Sequence, residues 1–174
     1  MLDNSFFSEN IDNILSDEHL IPAIKWVAEQ IPGGFFIYRA DESQEILYVN
    51  NEVLRIFGCS SFEDFRQLTG GTFIGFVHPE DRQEVLKSID DQIADSANDN
   101  KDYVEDRIVR RDGSVRWVDD YGHFAQLAGY GDVFYVFIGD ITEKHNAQEE
   151  NKRRVNIFSG MIEQFNSLAD EIGR

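Results

Sequence analysis

Residues 108–118 read Ile-Val-Arg-Arg-Asp-Gly-Ser-Val-Arg-Trp-Val, two strand-like runs that meet at Asp112-Gly113. Asp and Gly tolerate the positive φ that tight hairpin turns require, so the stretch predicts two long antiparallel strands. A third run, Val133 to Ile138, follows and ends at Gly139-Asp140-Ile141-Thr142-Glu143. The three predicted strands cover about Tyr103–Arg111, Ser114–Gln126 and Asp132–Ile141.

The 174 residues suffice for one domain with extensions. A chain of that size buries roughly 70% of its unfolded surface and folds without staples. Cys59 is the lone cysteine, which excludes an intramolecular disulfide and fits a reducing compartment. The start, Met-Leu-Asp-Asn-Ser, has no apolar signal core, and no run approaches the ~20 apolar residues that span a bilayer. A cytoplasmic protein without a membrane partner is expected. The net charge of −17 repels phosphate backbones and anionic lipid, so no nucleic acid is expected as partner. The acidity serves solubility or a basic partner.

Ahead of the hairpin, the order of elements is short and mixed. Apolar residues at Ile11, Ile14, Leu15, Leu20, Ile21, Ile24, Val27, Ala28 and Ile31 step by threes and fours, an amphipathic helix ended by Pro32-Gly33-Gly34. Phe35–Tyr38 and Ile46–Val49 are short strands joined by a polar turn. Asn51 to Phe57 is a small helix stopped by Gly58. Ser60, with Glu63 three residues on, predicts a capping box for a second. Pro79 suits the first turn of a longer helix that runs to about Ala94, with Val85, Leu86, Ile89 and Ile93 facing the core. Phe35–Tyr38 and Val133–Ile138 are continuously apolar, as strands covered on both faces are, so the first and last strands are expected to be central neighbours. The Ile11–Ile31 helix or a partner subunit would cover their second face.

Four local patterns, in order over some 110 residues, resemble one family, the PAS sensor domains. They are Tyr48-Val49-Asn50 with Ile56-Phe57-Gly58; Val77-His78-Pro79-Glu80-Asp81; Arg110-Arg111-Asp112-Gly113-Ser114-Val115-Arg116-Trp117; and Gly139-Asp140-Ile141-Thr142. The chain is most similar to the subclass common in bacterial signalling proteins. The resemblance implies an α+β fold, a five-stranded antiparallel sheet of order 2-1-5-4-3 with short helices on one face. It divides the chain into a flanking helix (1–32), the PAS domain (33–142) and a C-terminal linker helix (143–174). It also implies a regulatory module and not an enzyme, with an output domain such as a cyclic-dinucleotide enzyme or kinase elsewhere in the protein.

Asp140, Thr142 and Glu143 are the expected coupling residues. Asp140 can cap the exit helix, and Glu143 can reach back, which would tie the last strand to that helix. Beyond a polar stretch, Val155, Phe158, Ile162, Phe165, Ala169 and Ile172 step by 3, 4, 3, 4 and 3, a heptad seam. A homodimer through this seam is expected; a helix packed on its own domain is the alternative. The chain ends just after the seam, where an output domain is expected to follow.

Haem PAS domains place a histidine on the long helix, and this chain has none between Pro79 and Ser96. Covalent-flavin PAS domains carry the reactive cysteine in an N-C-R-F-L-Q motif, whereas Cys59 sits in Gly-Cys-Ser-Ser. Haem and covalent flavin are therefore disfavoured, and non-covalent flavin stays open. His19, His78, His123 and His145 lack metal-ligand spacing, and no phosphate loop or nucleophile with a paired base is present. No histidine lies in the seam to accept a phosphoryl group; His145 precedes it.

PAS pockets lie between sheet and short helices. Phe57, Trp117, Tyr121, His123 and Tyr135 are candidates to line one, with Phe65, Phe73 and Phe76 nearby in the pattern. Core packing accounts for most of the 14 phenylalanines. Tyr121 and His123 share one strand parity with Trp117 and face either a ligand or solvent. The function expected is a sensory or dimerisation module; a ligand-free structural connector is the alternative.

Overall fold

A computed structural model describes residues 25–127 and 130–172. The chain divides into two units, one ending at Asp140 and one beginning at Ile141. Most of the helix expected over Ile11–Ile31 lies outside the described residues; its end appears as a helical turn at 25–28.

The first unit is a five-stranded sheet in the order β2-β1-β5-β4-β3. The strands are β1 (Gly34–Arg39), β2 (Ile46–Val49), β3 (Lys101–Val109), β4 (Val115–Leu127) and β5 (Gly131–Asp140), and every neighbouring pair is antiparallel. Between β2 and β3 come α1 (Asn51–Phe57), α2 (Phe62–Thr69), α3 (Phe73–Phe76) and α4 (Arg82–Ala94), then a short 3-10 turn. The expected strand order and the central β1–β5 pair are both present. The runs Phe35–Tyr38 and Val133–Ile138 of the first and last strands are apolar, with residues in the core clusters on both faces, although Phe137 is exposed.

The inner face of the sheet packs on the helices. Phe36, Tyr38, Phe57, Phe65, Phe73, Phe76 and Phe134 supply its bulk, with Val53, Ile56, Val85, Ile89, Val104, Ile108, Val118, Val136 and Ile138. On the outer face, Ala28 closes over Phe35, Ile37 and Val133, so the end of the N-terminal helix covers part of that surface.

Asn50 pins three segments at once. Its side-chain amide donates to the carbonyls of Ala28 (2.9 Å) and Gly33 (3.0 Å), and its Oδ1 accepts from the amides of Phe35 (3.0 Å) and Val53 (3.1 Å). That saturates a buried amide and caps α1, so the one residue locks helix end, β1 and α1 together.

Four local expectations are corrected. Ser61, not Ser60, caps α2: its hydroxyl accepts from the Asp64 amide, and the Asp64 carboxylate reaches back to the Ser60 amide. The cap therefore lies one residue on, with Asp64 in place of Glu63 and the return bond to the residue before the cap. The long helix starts at Arg82, and Pro79 sits in the preceding turn, where Asp81 is drawn off to Arg107. A one-turn helix, α3, follows the Gly70-Gly71 break unforeseen. In the hairpin, Gly113 alone uses positive φ (80°); Asp112 instead accepts bonds from the amide and hydroxyl of Ser114.

The second unit is the helix α5 (Thr142–Ile172). Among the described residues, no helix is long and apolar enough to cross a membrane.

Candidate functional site

The hollow between sheet and helices has two ends of opposite chemistry. At the β1 end it is filled with rings. Tyr38 stacks between Phe73 (centroids 4.6 Å apart) and Phe134 (5.1 Å), Phe76 meets Phe73 (5.1 Å) and Phe36 (5.3 Å), and Phe57 meets Phe65 (5.1 Å) and Phe76 (5.2 Å). Edge-to-face and offset rings at these separations are packed against each other.

At the β3–β4 end the inner face turns acidic. Side chains alternate along a strand, so Asp102, Val104, Asp106 and Ile108 point inward from β3, and Val118, Asp120 and Phe124 from β4. Asp106 is 1% exposed, Asp120 3% and Asp102 6%. Asp120 stands opposite Val104, which puts it diagonally between Asp102 and Asp106. Gly122, opposite Asp102, leaves the space that the Asp102 carboxylate fills; a Cβ there would collide with it. Five of the six carboxylate oxygens in this cluster are buried without a hydrogen-bond partner.

Burial raises the pKa of all three. It pushes Asp102 up to about 6. It pushes Asp106 up to about 7, helped by the charge on Asp81. Asp120 is held well above the carboxylate range by burial first and then by Asp106, Asp102 and Asp119. Tyr38 is likewise raised, by burial and then by Asp102, Asp120 and Asp90.

The cation next to Asp106 along β3 is committed elsewhere. Arg107 points to the other side of β3, where its Nε and Nη2 hold Asp81 at 2.9 and 2.5 Å and Nη2 holds Glu80 at 3.0 Å. This pairing keeps Asp81 ionised, below the usual range. A surface groove of about 360 Å³ lies alongside, between α4 and β3, bordered by Glu84, Ser88, Tyr103, Glu105, Arg107 and Trp117.

The five pocket candidates do not line one pocket, although His123 and Tyr135 meet. Phe57 is in the inner core, whereas Trp117, Tyr121, His123 and Tyr135 carry the opposite parity and lie on the outer face. His123 Nδ1 and the Tyr135 hydroxyl are 2.5 Å apart, and Tyr121 is 57% exposed. There the outer face carries a cross-strand row: Tyr103 pairs with Tyr121, Tyr121 with Phe137 and Phe137 with Phe35. Asp140 ends β5, Thr142 opens α5 and Glu143 sits in its first turn. Val155, Phe158 and Ile162 are exposed on α5, as are Ile157 and Met161. Phe165, Ala169 and Ile172 are also in α5, but their side chains lie outside the described residues. Cys59 is half-buried beyond α1, and burial raises its thiol.

Sequence reasoning missed the acidic cluster. The signal was present: Asp102 and Asp106 share the parity of Val104 and Ile108, and Asp120 shares that of Val118 and Phe124.

The sheet order, the helical layer over one face and the matched sequence pattern identify the class. The PAS-fold family matches residues 46–135, and the chain belongs to that family. Solved structures agree in fold. A LOV protein of Rhodobacter sphaeroides is 14% identical, with 78% of this chain and 74% of that one covered (TM-score 0.59). An RNA-binding light-oxygen-voltage receptor is 16% identical over 81% of this chain (TM-score 0.57), and this chain spans 38% of its length. A sensory box histidine kinase/response regulator from Burkholderia thailandensis is 19% identical, over 80% of this chain and 95% of that one (TM-score 0.51). No curated protein matches.

Proposed function

We propose that this chain is the sensory and dimerisation module of a signal-transduction protein, passing a state of its sheet to an output domain through α5. The supporting observation is that α5 begins two residues after β5 ends and then exposes Val155, Ile157, Phe158, Met161 and Ile162. Large apolar side chains in a row on a helix want a partner, and a second copy of the same helix supplies one. Asp140, Thr142 and Glu143 hold the strand-to-helix corner in this reading, and the organisation is flanking helix (1–32), domain (33–142) and signalling helix (143–174). The role is regulatory, not catalytic.

Sedimentation equilibrium tests the dimer. The chain should associate at micromolar concentration, and Phe158→Asp with Ile162→Asp should make it monomeric without unfolding the sheet. A monomer at high micromolar concentration overturns the dimer.

The connector reading, a fold that joins two chains and takes no small organic ligand, is favoured by the ring-filled end of the hollow, where Tyr38, Phe73, Phe76 and Phe57 touch. Native mass spectrometry of the purified chain separates the two. A co-purified organic molecule or flavin supports a sensor of small organic ligands; the bare polypeptide mass overturns a tightly held organic ligand.

A further inference from the structure

We propose that Asp102, Asp106 and Asp120 form a proton-binding site inside the sheet, so that the signal this domain takes up directly is the proton. The inference deepens the sensory reading and rests on it for its biological consequence, though not for its chemistry.

The geometry selects the ligand. Both oxygens of Asp106, both of Asp120 and one of Asp102 are shut off from solvent and without a hydrogen-bond partner. A buried carboxylate in that condition is strongly disfavoured unless it is paired or neutralised. An organic ammonium needs space beside those oxygens, and they are sealed. A metal ion needs converging ligands, and among the described residues no group of three His, Cys, Asp or Glu side chains is arranged to hold one. A proton needs neither. Taken from solvent, it adds to one carboxylate oxygen with no bond broken and no electron transferred. The neutral acid then offers an O–H to whichever acceptor lies near.

The surroundings drive the same way. β3 and β4 supply the three aspartates, with Asp119 adding charge from the opposite side of β4. β1 brings the Tyr38 hydroxyl. α4 brings Asp90, and the turn before it Asp81, which Arg107 neutralises with His78 close by. β5 shows Phe134, Val136 and Ile138 to the inner face. Asp119 adds its charge to Asp120 and Asp81 to Asp106, and no cation is among the groups that act on the three aspartates. The raised carboxyls described above, at about 6 for Asp102 and about 7 for Asp106, are the expected result.

Loss of the protons leaves like charges diagonal to each other in an apolar wall, which loosens the contact of β3 and β4 with α4. Because β4 is in register with β5 up to the Val118–Asp140 pair, that strain reaches Asp140, the last residue of β5.

Carboxyl-carbon NMR of the full chain, titrated with pH, tests the site. Midpoints near 6 for Asp102 and near 7 for Asp106 are expected, assigned with Asp102→Asn and Asp106→Asn, while exposed carboxyls titrate near 4. If all aspartates titrate near 4, the proton site is overturned, and the dimer reading, which sedimentation decides, is unaffected. A second measurement needs no variant. Hydrogen exchange of β3 and β4 amides, corrected for intrinsic rates, should show protection falling as pH rises through neutrality. Unchanged protection overturns the proposed loosening.

Discussion

Gly122 lies directly across the β3–β4 ladder from Asp102, and the Asp102 carboxylate occupies the volume that any side chain at position 122 would need. The pair is complementary, an acid that requires a glycine. Gly122→Ala should destabilise the domain by ~1–3 kcal/mol, as overpacking of a filled interior does. Asp102→Ala in the same chain should return much of that loss. Urea unfolding of the two single variants and the double variant measures the coupling. Additive effects would mean that the collision does not determine the role of Gly122.

Stability should rise on mild acidification. The sign follows from the raised carboxyls: the folded state binds protons more tightly than the unfolded chain. The contribution of Asp102 and Asp106 is complete below about pH 4, and it is lost as pH climbs through about 6 and about 7. Asp64, Asp81 and Asp112, which are lowered, act oppositely and remove stability only below their own usual range. The optimum therefore falls on the acid side of neutrality. Asp106→Asn should flatten the profile and exceed the wild type at alkaline pH, by ~1–2 kcal/mol. Denaturation midpoints across pH decide it; parallel profiles for the two proteins would refute the assignment.

Asn50→Ala should cost ~3 kcal/mol or more, because three buried bonds and one part-buried bond lose a partner, and two backbone carbonyls lose their amide donor. Asn50→Asp should be nearly as harmful, since a carboxylate cannot donate to Ala28 and Gly33. Thermal unfolding reads both, and a cost below ~1 kcal/mol would mean water replaces the amide.

The α2 cap gives a finer test. Ser61→Ala should lose ~1 kcal/mol. Ser60→Ala should lose less, since Ser60 still offers its backbone amide to Asp64. Equal losses would contradict the shifted box.

What was legible in the chain was local or apolar. Gly58 and Gly113 stop elements wherever they fall, and the continuous apolar runs at Phe35–Tyr38 and Val133–Ile138 mark the central pair because burial on both faces leaves no polar position. The cap of α2 lies one residue from the sequence expectation because two serines stand side by side and only geometry chooses between them. The acidic cluster is hidden in the sequence for a different reason. β3 carries charge on both parities, Lys101, Glu105 and Arg107 outward and Asp102 and Asp106 inward, so composition alone reads it as a peripheral strand. Trp117, Tyr121 and His123 drew attention as aromatic and polar residues on one parity, but that parity is set by Val118 and Phe124, which claim the helical side.

The ring-filled end of the hollow bears on evolution and on pharmacology. Tyr38, Phe73, Phe76 and Phe134 fill that end by packing on one another. Trimming one of those rings, Phe73 for example, would leave a cavity that a small apolar molecule could fill, a mutational route toward a new chemical specificity.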